Sequence, residues 1–165
     1  MKNLIYSAAK VRQTIIRMAY EIYEHNLTEN ELVIAGIYDQ GFELARLLKE
    51  EIVKISAHKV SLIGVKIDKE DPFKSKVKLE LDKKANYDDK VLILVDDVLN
   101  SGRTFTYCLK ALLKYNFRKV ETAVLVNRSH KRFPISAKYK GYDLSTTISD
   151  HVEVQLDDPV SIYLY

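Results

Sequence analysis

Two adjacent carboxylates, Asp96 and Asp97, stand at the end of an apolar run over residues 91–95, and Asn100, Ser101, Gly102, Arg103 and Thr104 follow them closely. Neighbouring anions repel unless something cationic or rich in hydroxyls sits between or opposite them. If the stretch "NSGRT" opens a helix, free backbone amides, the hydroxyls of Ser101 and Thr104 and the positive helix end all face one small volume. That volume is an anion cradle. Gly102 permits close backbone approach, and the carboxylates upstream can accept hydrogen bonds from a diol. A phosphorylated sugar carries both groups at about this separation. On this stretch alone an ordinary turn with solvated aspartates remains an equal alternative, because the spacing does not match the longer phosphate loop that ends in Gly-Lys-Ser/Thr.

The elements needed to hold such a turn are legible around it. Residues 7–26 place Val11, Ile15, Met18, Ala19 and Ile22 at helical spacing behind Ser7, a plausible N-cap. "ELVIAGI" at 31–37 predicts a strand ending near a glycine, followed by a loop and a helix through Phe42, Leu44, Ala45, Leu47, Leu48 and Ile52. "HKVSLIGVKI" at 58–67 predicts another strand, and Val77, Leu79 and Leu81 a short hairpin strand within a polar, mobile loop. The motif strand then leads to a helix through Leu109, Leu112 and Leu113, and "KVETAVLV" at 119–126 to a further strand. Continuous apolar strands alternating with helices predict an α/β fold, a central parallel sheet flanked by helices. Ligands in such sheets lie beyond the carboxyl ends of the strands, so the loops at 36–41, 96–104 and 127–130 should converge.

The chain has 165 residues, 47% of them hydrophobic and 30% charged, which fits one domain over 1–165 with a full core. Its formal charge of +3 is too mild to announce a nucleic-acid protein and suits an anionic small molecule. Cys108, the single cysteine, falls in a predicted helix and reads as a small packed residue. No apolar stretch approaches the ~18 residues of a membrane span and no basic, apolar leader precedes the first helix, so the expectation is a cytoplasmic protein without a membrane partner. His25 and His58 lack metal-ligand spacing and read as surface residues.

"VLILVDDVLNSGRT" resembles the phosphoribosyl-diphosphate (PRPP) motif of type I phosphoribosyltransferases, and looks most like the PyrR family of pyrimidine-operon regulators that also act as uracil phosphoribosyltransferases. "VRQTIIRMAYEI", "VIAGIYDQGFELARLL", "AVLVNRSHKRFPISAKY" and "VEVQL" extend the likeness over nearly the whole chain. The resemblance implies that fold with a small hood, transfer of ribose 5-phosphate from PRPP to a nucleobase, most naturally uracil, and a homodimer. It implies that Asp96 and Asp97 hold the ribose hydroxyls together with Mg2+, and that Leu99, Asn100, Ser101, Gly102, Arg103 and Thr104 bind the 5-phosphate. Asp39, Gln40 and Gly41 match the diphosphate loop. Lys69 stands in the catalytic loop where the family has an arginine, with Glu70 and Asp71 at its two acids, so Asp97, Lys69 and Arg103 become the catalytic candidates. A cation on a closing loop suits a transition state resembling an oxocarbenium ion with departing diphosphate.

Some positions depart from that pattern. The family's Thr-Arg-Gly loop reads Asp39, Gln40, Gly41 here, replacing a cation that faces diphosphate with an amide, which should weaken PRPP binding unless magnesium or Arg103 compensates. Purine enzymes of the superfamily carry an aspartate where Asn100 stands and a lysine where Ser136 stands. Asparagine cannot act as a general base, which disfavours hypoxanthine and guanine. Tyr139, with Lys138 and the backbone to residue 145, is the expected hood over a planar base. PyrR proteins also bind RNA, and Arg17, His130, Lys131 and Arg132 fall in the matching segments, Lys131 and Arg132 being expected outside the phosphate cradle. The alternative reading is a nucleotide-sensing, RNA-binding regulator with weak or no transferase activity.

Overall fold

The computed structural model describes residues 2–165. Its core is a six-stranded sheet built from β2 (Glu31–Ile37), β3 (Lys59–Lys66), β4 (Lys78–Glu80), β5 (Val91–Leu99), β6 (Lys119–Arg128) and β7 (Tyr139–Leu144), in the order β4-β3-β2-β5-β6-β7. All neighbours are parallel except β4, which pairs antiparallel with β3 as the expected hairpin strand. Alternate residues of β2 enter different cores. Leu32 and Ile34 pack with Ile15, Met18, Leu44 and Leu48 of α1 (Ala8–Glu24) and α2 (Gln40–Ile55), whereas Val33, Ala35 and Ile37 join Phe105, Cys108 and Leu112 of α3 (Arg103–Leu112). The period of two thus sorts one apolar run between two helical layers.

Leu32, Ile34, Leu92 and Ile93 are wholly buried, and each such side chain contributes about 1.5–3 kcal/mol through the apolar surface it removes from water. The connection from β2 runs outward through α2 to β3, and that from β5 runs the opposite way through α3 to β6. Between β2 and β5 their carboxyl-end loops therefore part, which opens a crevice where this class of sheet binds ligands.

A second sheet, three-stranded and antiparallel in the order β1-β9-β8, stands beside this crevice. It unites β8 (Val152–Gln155) and β9 (Ser161–Leu164) with β1 (Asn3–Tyr6), so the hood draws on both ends of the described chain. Val152, Val154, Leu156 and Ile162 bury it in the core it shares with α1 and α2, and two further contacts fasten it. The Leu156 amide donates to Gln40 Oε1 at 2.8 Å, and the Tyr6 ring stacks on Tyr142 at 3.7 Å between centroids. The segment assigned to the hood at 138–145 is instead β7, the edge strand of the main sheet.

Candidate functional site

Asp96 and Asp97 lie near the carboxyl end of the central strand β5, where successive residues point to opposite faces. Asp96 is turned inward, only 3% exposed, and its Oδ1 accepts the Asp97 amide at 2.9 Å. Gly41 makes this burial possible, since a Cβ there would stand 2.5 Å from Asp96 Oδ1. Lys69 reaches in from the loop after β3, its Nζ 2.9 Å from Asp96 Oδ1 and 3.5 Å from Asp97 Oδ1. Burial and then the charge of Asp97 hold the Asp96 carboxyl well above the ordinary range, Lys69 opposing them. Burial works against the lysine too, but the two carboxylates outweigh it and keep its ammonium above the usual lysine value. The partner that the acidic pair demands is therefore Lys69.

Beyond Leu99 the chain turns through Asn100 and Ser101 into Gly102, whose φ of 86° is left-handed and suits glycine. Helix α3 starts at the next residue. Ser101 Oγ accepts the Arg103 amide at 3.2 Å and the Gly102 carbonyl accepts the Thr106 amide at 3.0 Å, while the Thr104 and Phe105 amides between them have no acceptor among the described residues. Unpaired donors at a helix start attract anions. The cradle is braced from behind, because the Arg132 and Phe133 amides donate to the Ser101 carbonyl at 2.9 and 3.0 Å.

Two cavities meet at Lys69 and Asp97. The larger, about 850 Å3, is lined by Asp96, Asp97, Leu99, Asn100, Ser101, Gly102, Arg103 and Thr104, by Glu70 and Arg132, and by residues 151–154 of the hood side. The smaller, about 530 Å3, lies against Tyr38, Asp39, Gln40, Lys66 and Asp68. Its wall is tied to β4, since Tyr38 Oη donates to Glu80 Oε2 at 2.8 Å and Lys66 pairs with Glu80 at 2.6 Å. Burial and the bond to Glu80 push the Tyr38 phenol up to about 12, so it remains a neutral donor. The Tyr38–Asp39 peptide is cis. Glu70 faces the larger cavity, whereas Asp71 pairs with Lys74 at 3.4 Å.

Most of the residues chosen from sequence thus come together, with three corrections. First, Lys138 and Tyr139 do not face the crevice. Tyr139 opens β7 beside Ala123 and Lys138 precedes it, and both side chains are spent on Glu121 near the start of β6, Lys138 Nζ at 2.6 Å and Tyr139 Oη at 2.7 Å. Tyr139 is buried, and neither residue lines either cavity. Ser136 belongs to the same end, its carbonyl accepting Thr122 Oγ1 at 2.6 Å. Second, Arg132 lines the larger cavity instead of lying outside it. Third, Gln40 already has its carbonyl oxygen committed to Leu156.

The other residues proposed for RNA are engaged within the chain. Arg17 bonds Glu21 and the carbonyls of Lys140 and Gly141, His130 bonds the Thr146 carbonyl, and Lys131 bonds Asn127 and the Arg128 carbonyl. Burial, with Lys140 nearby, holds the Lys131 ammonium below its ordinary value. Cys108 is buried as expected, its thiol pushed up to about 12 by burial and then by Asp96. His25 is exposed but His58 is half-buried, with Nε2 2.9 Å from the Asn26 carbonyl.

Sequence reasoning passed over Arg128. This arginine is 7% exposed and spends its guanidinium on four acceptors, Asn100 Oδ1, Thr146 Oγ1 and the carbonyls of Thr147 and Asp150, at 2.8 to 3.0 Å. It binds the cradle to the loop that leads into β8. The sequence signal was slight, an arginine just past an apolar strand in "VLVNRSHKR".

A parallel sheet with an acidic pair and a phosphate-type cradle at its switch point defines a phosphoribosyl transferase class of site, and the chain belongs to that family: the phosphoribosyl transferase domain model matches residues 3–159. Within it, the chain is 33% identical to the bifunctional protein PyrR of Microcystis aeruginosa over 159 residues, covering 93% of this chain and 90% of that protein. It is also 33% identical to the bifunctional protein PyrR of Bacillus pumilus, over 98% of this chain and 97% of that one. Among solved structures, a hypoxanthine-guanine phosphoribosyltransferase from Bacillus anthracis superposes with a TM-score of 0.79 at 17% identity, covering 99% of this chain and 96% of that chain. The hypoxanthine phosphoribosyltransferase of Trypanosoma cruzi gives 0.78 at 16% identity, over 98% and 95% of the two chains. At such identities the structural likeness speaks for the fold alone, and the PyrR relatives bear out the resemblance seen in the motif.

Proposed function

We propose that the chain transfers ribose 5-phosphate from PRPP to uracil, giving UMP and diphosphate. The observation that carries this reading is the meeting of two cavities at Asp97 and Lys69. A pentose with its 5-phosphate on the amides of Thr104 and Phe105 can lay its hydroxyls on the aspartates and point its diphosphate into the smaller cavity. Lys69 stands at the carbon between, where a cation both screens the departing diphosphate and excludes water as its loop closes. The ribose carbon gains positive charge in the transition state, and the adjacent carboxylate of Asp97 stabilises it.

Magnesium fits this donor set as a companion of the substrate. Among the described residues no group of three or more His, Cys, Asp or Glu side chains converges on a metal site. Mg2+ typically takes one or two protein carboxylates along with substrate phosphates, and Asp96 and Asp97 would be the residues to hold it here. When bound it supplies charge neutralisation to the diphosphate. The reading extends to a homodimer in solution, which light scattering tests directly.

The experiment is a transfer assay with PRPP, Mg2+ and uracil, hypoxanthine or guanine, read as nucleotide formed. UMP formation supports the reading, and no nucleotide from any base defeats it. An RNA-binding regulator is the weaker reading because Arg17, His130 and Lys131 are internally bonded, while Arg132 is the candidate left facing a cavity. Salt-dependent retention of a hairpin RNA would favour it.

A further inference from the structure

We infer that Lys66 is the cation that takes the diphosphate of PRPP in this chain, held ready at the end of β3 by Glu80 and the ring of Tyr38. The inference rests on the transferase reading for the identity of the ligand. The smaller cavity, which that reading assigns to diphosphate, is lined by three carboxylates, Asp39, Asp68 and Asp97, and by two ammonium groups, Lys66 and Lys69. Lys69 already bonds Asp96 and approaches Asp97. The loop at 38–41 offers no cation, and the Gln40 carbonyl oxygen is taken by the Leu156 amide. A diphosphate brings several negative charges into this acidic wall and needs a counter-charge there. Among the described residues lining the cavity, Lys66 is the ammonium that the aspartates leave for it.

The neighbours of Lys66 place its side chain. Gly64 and Lys66 stand two residues apart on β3 and share a face. A Cβ on Gly64 would collide with Glu80 Oε2 and Tyr38 Cε2, so the glycine lets both lie close over the strand. Tyr38 is fixed in turn, its amide donating to the Val65 carbonyl at 3.0 Å and its ring stacking on Phe42 at 4.4 Å between centroids. Glu80 then divides its carboxylate: Oε2 accepts the Tyr38 hydroxyl at 2.8 Å and Oε1 faces Lys66 Nζ at 2.6 Å. The ammonium lies 5.1 Å from the centre of the Tyr38 ring, within reach of cation–π attraction. Yet the Lys66 side chain is 53% exposed, and an ion pair as open as this one adds little to stability. Its partner is therefore exchangeable, and a diphosphate oxygen can take the ammonium from Glu80 without disturbing the fold. Helix α2 starts at the same cavity with no side-chain cap, so its first amides add to the positive potential.

Calorimetry of the full chain with Mg2+ and PRPP, inorganic diphosphate or ribose 5-phosphate tests this. Lys66→Met should weaken PRPP and diphosphate by about tenfold, the scale of one lost charge-assisted hydrogen bond. Ribose 5-phosphate, which uses the cradle and the aspartates alone, should stay within about threefold, and so should PRPP with Lys66→Arg, which keeps the charge. The melting temperature of the free chain should hardly move in either variant, which separates loss of a ligand contact from loss of fold. Unchanged PRPP affinity in Lys66→Met, equal losses for PRPP and ribose 5-phosphate, or a Lys66→Arg chain as weak as Lys66→Met would each overturn the inference. The transfer assay is separate: a chain that forms nucleotide while Lys66→Met keeps its PRPP affinity refutes this inference alone. A chain that shows the expected split but forms no nucleotide refutes only the transferase reading.

Discussion

Two lysine-carboxylate clusters occupy opposite ends of the same sheet, and they differ in whether their hydrogen bonding is complete. At the amino end, Glu121 accepts from Lys138 and Lys119 through Oε1, and from Tyr139 and Asn26 through Oε2. Asn26 is itself satisfied, donating to the Ile22 carbonyl at 2.8 Å and accepting Lys119 Nζ at 2.7 Å. Burial alone would raise the Glu121 carboxyl, but bonds from Lys138, Asn26 and Tyr139 outweigh it and hold it below the ordinary glutamate range. At the carboxyl end, Asp96 and Asp97 share one lysine on a loop, and Asp96 is pushed up rather than down. Saturated polar clusters specify packing, whereas an unsaturated one beside a cavity is free to take a ligand. The difference teaches where the chemistry is.

Breaking the carboxyl-end cluster should cost activity and little stability. Asp97→Asn is expected to lower kcat/KM for UMP formation by about a hundredfold or more, the scale of removing one group aimed at charge that develops in the transition state. Its urea midpoint should stay near that of the unaltered chain. A large stability loss with activity retained would reverse the assignment of the two ends.

The converse change is Glu121→Ala. Removing the acceptor leaves Lys138 and the Tyr139 hydroxyl without their carboxylate partner beside a buried site, and about 2–3 kcal/mol of unfolding free energy should go, less than for a fully buried pair because the lysine is partly in water. Transfer activity measured well below the melting temperature should be close to normal. Urea titration and the assay together separate these outcomes.

Acid sharpens the comparison further. Because the folded Glu121 carboxyl titrates below its unfolded value of ~4.3, the stability it contributes is fully present above that pH and is lost as pH falls through the lower folded value. The gap in urea midpoint between the unaltered chain and Glu121→Gln should thus be constant near neutrality and close in acid. A gap that instead widens as the pH drops would contradict the sign of this shift.

The same comparison explains what was legible in the sequence. The stretch from Val91 to Thr104 announces strand, turn and helix by its apolar run and its glycine, and these are local signals. The strand β1 was silent, because its residues have no periodicity of their own and their partner, β9, lies at the other end of the chain. Tyr139 and Lys138 were misplaced for a related reason. An aromatic followed by polar residues suits a ligand wall as well as a strand start, and only the distant Glu121, which both side chains bond, shows that they face away from the crevice. Arg128 reads as a surface cation in one dimension, and its four acceptors come from segments on both sides of it in the chain.

The smallest expected effect concerns Gln40, which stands between the cavity and the hood. If its amide served only the smaller cavity, Gln40→Arg would add a cation there at no structural cost. The bond from the Leu156 amide to Gln40 Oε1 changes that expectation, since arginine cannot accept it and the half-buried amide at the exit of β8 loses its partner. About 1 kcal/mol of stability should be lost, the net value of a hydrogen bond of this kind. The freed side chain can extend toward the diphosphate, and PRPP should tighten by ~1 kcal/mol as a neutral donor becomes charge-assisted. Ribose 5-phosphate, which has no diphosphate, should not gain. Thermal melts and calorimetry on one variant thus read both consequences. A PRPP gain without any loss of melting temperature would show that the hood's apolar contacts with the core and the Tyr6–Tyr142 stack hold it without the Gln40 bond. A loss without a gain would mean that Asp39 captures the new guanidinium before the substrate does.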